Sequence, residues 1–95
     1  MPLFALICFD KPACLPLRMA NREAHLAYAR ENIASIKVAG PMLDDAGDMA
    51  GSMFVIEAPD VETVRAFNAA DPYTKAGLFG QVEVRQWRVT LGSLG

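Results

Sequence analysis

Apolar residues run almost without interruption through Leu3-Phe-Ala-Leu-Ile-Cys-Phe9 and stop at Asp10-Lys-Pro, which predicts a central strand covered on both faces. The segment from Asp10 to Pro16 breaks that strand, and a helical period follows from about Leu17 to Lys37. Within it Leu26, Ala29, Ile33 and Ile36 share a sector of about 100° with Arg22. Val38-Ala-Gly-Pro41 is expected to end the helix, since glycine suits its C-terminal side and proline cannot continue it. Met42-Leu43 opens a second strand, Asp44 to Asp48 makes a turn, and Gly51-Ser-Met-Phe-Val-Ile-Glu57 forms a third strand, together a hairpin. Asp60 suits an N-cap for a helix from Val61 to about Ala70, with Val61, Val64, Phe67 and Asn68 at core spacing. Asp71-Pro-Tyr-Thr-Lys-Ala-Gly77 reads as a break with one helical turn. Gln81 to Thr90 alternates imperfectly, as an edge strand does.

The resulting order, βαββαβ, predicts an α+β chain of ferredoxin-like type, an antiparallel sheet with both helices on one face. The other face is left bare. It is not polar, because the first strand offers apolar residues in both registers. A face of that kind on a small monomer favours association, so a homodimer of face-to-face sheets is expected.

Composition narrows the setting. With 95 residues, 53% of them hydrophobic, the chain is expected to form one domain over residues 1–95. Nine Lys and Arg against eleven Asp and Glu leave no basic footprint for nucleic acid. No run reaches the eighteen or so apolar residues of a membrane span, and the apolar N-terminus lacks the basic flank of a signal peptide. Cys8 and Cys14 match neither metal-site nor redox spacing, so a reduced, cytoplasmic protein is expected, with Cys8 a small buried hydrophobe.

His25 is the only histidine, and it follows Arg18 and Arg22 at helical spacing. This is where the sequence concentrates groups able to bind an anion and move a proton near neutral pH. The plainer reading of this stretch is a helix end at the rim of the sheet, its arginines reaching to water. Ser52, beside Gly51, places a hydroxyl where a ligand can approach the backbone closely. One histidine and scattered carboxylates make poor zinc ligation, no serine triad is visible, and no cofactor is called for.

Arg22-x-x-His25-Leu26, Ala39-Gly40-Pro41, Gly51-Ser52, and Asp71-Pro72-Tyr73 with Gly77 after it resemble the YCII-related (YciI-like) family across essentially the whole chain. The resemblance implies a fold of the dimeric α+β barrel type, shared with cofactor-free oxygenases, lactone isomerases and ligand-binding modules. It also implies a candidate acid-base pair at His25 and Asp71. Asp71 would orient the imidazole, Arg18 and Arg22 would hold an anionic oxygen, and Ser52 and Tyr73 would complete the substrate-binding set. The reaction expected is isomerisation, elimination or hydrolysis of a small anionic or aromatic molecule. Two other classes stay open: a non-catalytic ligand-binding or sensor module, and a cofactor-poor oxygenase. Asp71 before Pro72 also has the form of a simple helix cap, and Tyr73 that of a packed ring with its hydroxyl at the surface. In this topology the start of the first helix and the end of the second lie at opposite ends of the sheet. His25, about 12 Å along its helix, therefore meets Asp71 only if the loop after Asp71 folds back.

Overall fold

The computed structural model describes residues 1–94. Strand β1 (Leu3–Asp10) lies between β3 (Met49–Glu57) and β4 (Phe79–Trp87), and β2 (Ile36–Leu43) closes the far side of β3. The order β2-β3-β1-β4, antiparallel throughout, is that of a ferredoxin-like α+β fold. The central place of β1 explains its continuous apolar run. Phe4, Leu6 and Cys8 pair with Ile56, Phe54 and Ser52 and look toward the helices, while Leu3, Ala5, Ile7 and Phe9 lie on the opposite face. Val64 of helix α3 (Val61–Ala70) completes the core with Leu6, both fully buried.

The first helical segment differs from its sequence prediction. It is two helices, α1 (Leu15–Ala20) and α2 (Arg22–Glu31), separated at Asn21, whose side-chain amide donates to the Leu17 carbonyl. Asparagine hydrogen-bonds nearby backbone readily and interrupts helices for that reason. The expected extension to Lys37 fails as well. Asn32 caps α2, and the β-branched Ile36 enters β2 in place of a further helical turn. Gly40-Pro41 therefore sits inside a strand and is not a helix stop. Since β2 is the edge of the sheet, a proline without an N–H is tolerated there. Strand β4 likewise starts at Phe79 and ends at Trp87, earlier than Thr90.

Two irregularities shape the sheet at β2 and β3. Ile36 pairs with Ile56 and Val38 with Val55, so Lys37 is the extra residue of a β-bulge. At Gly51 a Cβ would stand 2.6 Å from the carbonyl oxygen of Cys8, so only glycine lets β3 approach β1 just before Ser52. Asp60 caps α3 as expected, accepting from the Thr63 amide at 2.9 Å. The helix stops at Asp71, which takes an extended conformation before Pro72 and opens the short helix α4 (Pro72–Lys75). Gly77, with φ of +76°, turns the chain toward the fully buried Leu78 and β4. Among the described residues no helix is long and apolar enough to cross a membrane.

Candidate active site

His25 is the fourth residue of α2 and points inward, only 8% exposed. Its Nδ1 lies 2.9 Å from Asp71 Oδ1 and 3.0 Å from Oδ2. The chain does fold back: α4 packs against α2 and brings the fully buried Asp71 to the imidazole. Asp71 also caps α4, accepting from the Tyr73 amide at 2.9 Å. Capping and holding the histidine, alternatives in the sequence, are thus done by one carboxylate. Because that carboxylate accepts at Nδ1, the proton of a neutral imidazole is held on Nδ1 and Nε2 is left with its lone pair.

Packing fixes the ring as well. Tyr73 stacks on it with centroids 4.0 Å apart and planes 14° apart, and Phe54 meets it edge-on at 6.0 Å. Tyr73 is 1% exposed, so the expectation of a surface hydroxyl was wrong: the turn of α4 carries the whole ring inward. Burial pushes the phenol upward, against the lowering effect of Arg18 and Arg22, and the net shift is above its ordinary value.

Arg18 does not extend a solvent-facing row with Arg22. The break at Asn21 puts it on α1, where it is 2% exposed and forked onto Asp10 at the end of β1, Nε to Oδ2 at 2.7 Å and Nη2 to Oδ1 at 2.9 Å. Burial pulls its pKa down, but the hydrogen bonds and charge of Asp10, together with Tyr73, outweigh that and hold it above its ordinary value. The guanidinium also lies 4.5 Å from the Tyr73 centroid, so a cation, a phenol and an imidazole form a continuous stack. Its Nη2 donates to Ser52 Oγ at 2.9 Å. A guanidinium only donates, so Ser52 spends a lone pair on it and keeps its own proton for another acceptor. Arg22 remains exposed at the mouth.

These groups open on one cavity of about 270 Å³ between α2, β2 and β3. His25, Arg18, Arg22, Ser52 and Tyr73 line it at one end, and Leu26, Ala29, Ile36 and Phe54 supply apolar walls. Arg30 and Lys37 stand at the other end, and no carboxylate is among the lining residues. Asp71 and Asp10 act from behind the wall. Of these, Asp10, Arg30 and Lys37 were not singled out from sequence. In the sequence Asp10 stands out only as the residue that ends the apolar strand.

Cys8 lies close by and is chemically quiet. Burial, followed by the charge of Asp71, pushes its thiol up to about 12, and its Sγ donates to Asn68 Oδ1 at 3.5 Å. Both cysteines are free. Among the described residues no group of three or more His, Cys, Asp or Glu side chains is arranged to hold a metal ion.

The YCII-related domain model matches residues 2–88. Protein YciI of Escherichia coli is 31% identical over 94 residues, covering 90% of this chain and 96% of that one. Among solved structures, the 5-chloro-2-hydroxyhydroquinone dehydrochlorinase TftG of Burkholderia phenoliruptrix, in complex with 2,5-dihydroxybenzoquinone, superimposes with a TM-score of 0.84. It is 41% identical, over 90% of this chain and 93% of that one. An antibiotic biosynthesis monooxygenase, 15% identical with a TM-score of 0.58 over 96% of this chain and all of that one, shares the fold alone.

The Arg18–Asp10 pair makes a stability prediction. Arg18→Met strands a buried carboxylate and should cost about 3–5 kcal/mol in denaturant unfolding. Asp10→Leu/Arg18→Met, which removes both charges, should recover most of that loss. Equal losses in the single and double variants would mean that packing, not charge pairing, governs the site.

Proposed function

Because the chain belongs to the YCII-related family, we propose that it is a small-molecule enzyme in which His25 and Asp71 form an acid-base pair acting on a hydroxylated aromatic or quinoid ring. The single observation that carries this reading is Asp71 holding Nδ1, at 2.9 and 3.0 Å, of a histidine whose other nitrogen is free to serve the cavity. The 41% identical structure is a dehydrochlorinase in complex with a dihydroxyquinone, which favours elimination within the isomerase, lyase and hydrolase group.

The steps assigned to this chain's residues are few. A planar ring enters between the apolar walls, its hydroxyl toward Nε2 of His25. The imidazole takes the hydroxyl proton, and Asp71 stabilises the imidazolium that forms without itself needing to take a proton. Negative charge then develops on the ring oxygens. Ser52, its hydroxyl oriented by Arg18, donates to one oxygen, and Arg22 at the mouth offsets the remainder. Tyr73 keeps the imidazole in plane for the transfer. The imidazolium returns its proton to the ring carbon that bears the leaving group, giving the keto tautomer. His25 then takes a second hydroxyl proton as the bond to the leaving group breaks, so that an anion departs and a hydroxyquinone remains, and the cationic lining favours that departure.

The homodimer belongs to the same proposal. Val38, Met53, Phe9 and Trp87, each 40–48% exposed, lie on the sheet face opposite the helices, around the already covered Ala5 and Val55. A second copy packed on this face would remove it from water. A cytoplasmic setting is consistent with the two free thiols.

Two experiments test the proposal. With 5-chloro-2-hydroxyhydroquinone as substrate, the purified protein should release chloride. His25→Asn and Asp71→Asn should lower turnover by about 10²–10⁴ while circular dichroism stays native. Retained turnover in both variants contradicts the pair, and tight ring binding without any turnover would make this a binding module. For the assembly, sedimentation at micromolar concentration should give about twice 10.3 kDa, and Met53→Glu should shift it toward monomer. A native wild-type monomer sinks the dimer.

A further inference from the structure

The cavity does not end where a single ring held at His25 would end. Arg30 lies in the last turn of α2, five residues beyond His25 and so about 7.5 Å further along the helix axis. Lys37 reaches the same end from another element, as the extra residue of the β2 bulge, a feature that re-aims a side chain out of the regular pleat. Between this end and His25 the wall is apolar, built from Leu26, Ala29 and Ile36. The ion pair nearest this end is weak: Lys37 Nζ is 3.7 Å from Glu57 Oε1, with both side chains more than 30% exposed. Glu57 itself is not in the cavity wall.

Resting on the acid-base reading of the same site, we infer that the natural substrate is two-ended: a hydroxylated ring at His25, an apolar spacer, and a carboxylate received by Arg30 and Lys37. Polar recognition at both ends with an apolar wall between fits such a molecule better than it fits a bare ring, which leaves Arg30 unused and Lys37 with only its long, exposed contact to Glu57. Both cations are near solvent, so their effect is on specificity and falls with ionic strength.

The test is a binding series on the intact chain, read by titration calorimetry at low salt. The probes are 2,5-dihydroxybenzoquinone, 3-(2,4-dihydroxyphenyl)propanoate and the corresponding propanamide. The propanoate should bind at least about fivefold more tightly than its amide, equal to about 1 kcal/mol. Arg30→Gln/Lys37→Gln should abolish that preference, while the affinity for 2,5-dihydroxybenzoquinone stays within twofold of wild type. Raising salt to 0.5 M should shrink the preference in the wild type alone. Equal binding of acid and amide, or a preference that survives the double variant, overturns the inference while leaving the acid-base reading intact. Failure of every probe to bind overturns both.

Discussion

The Asp71 carboxylate ties three things together that would otherwise be independent. Its Oδ1 closes the first turn of α4 through the Tyr73 amide, and both its oxygens stand within 3.0 Å of His25 Nδ1. Moving α4 would release the histidine, and rotating the histidine would leave a fully buried carboxylate short of a partner. The extended conformation that Pro72 imposes on Asp71 is what turns the carboxylate back toward α2. Backbone stereochemistry, capping and site geometry thus share one residue, and the stacking of Tyr73 on the imidazole follows from the same turn.

Charge is arranged around this contact with a consistent polarity. Both buried acids sit behind the wall, Asp71 against His25 and Asp10 against Arg18, and each holds a nitrogen-bearing group in a fixed orientation. The surface presented to the cavity is therefore cationic and hydrogen-bond donating, through Arg22, Ser52, Arg30 and Lys37, over an apolar lining. Buried ion pairs add little net stability, and their use here is orientation. Arg18 illustrates this: neutralised by Asp10, it acts on the cavity through Ser52, which it leaves with a directed proton.

The alternation of elements, the core of β1 and the Asp60 cap were all legible in the sequence because each depends on local pattern: a continuous apolar run, a cap residue, a 3.6-residue period. Leu26, Ala29, Ile33 and Ile36 fit one face of a single long helix, yet Ile33 is 63% exposed and Ile36 belongs to an edge strand. A short apolar segment satisfies either period, and tertiary pairing with β3 decides. His25 stood out as the only histidine, and Asp71 through the family resemblance. Their meeting was not readable, since it depends on a non-local return of the chain across 46 residues. The Asp10–Arg18 pair is hidden for a different reason: it spans only eight residues, but it needs Arg18 on a separate helix α1 that turns it toward the end of β1, and the break at Asn21 that creates α1 has no strong mark in the sequence.

With Asp71 accepting at Nδ1, a neutral His25 imidazole carries its proton on Nδ1 and its lone pair on Nε2. A single histidine makes this directly measurable, by long-range proton–nitrogen correlation on uniformly labelled protein held at a pH where the ring is neutral. One imidazole spin system is expected, with Nδ1 protonated and Nε2 bare, converting to a mixed tautomer in Asp71→Ala. A wild-type ring with its proton on Nε2, or one already mixed, would contradict it.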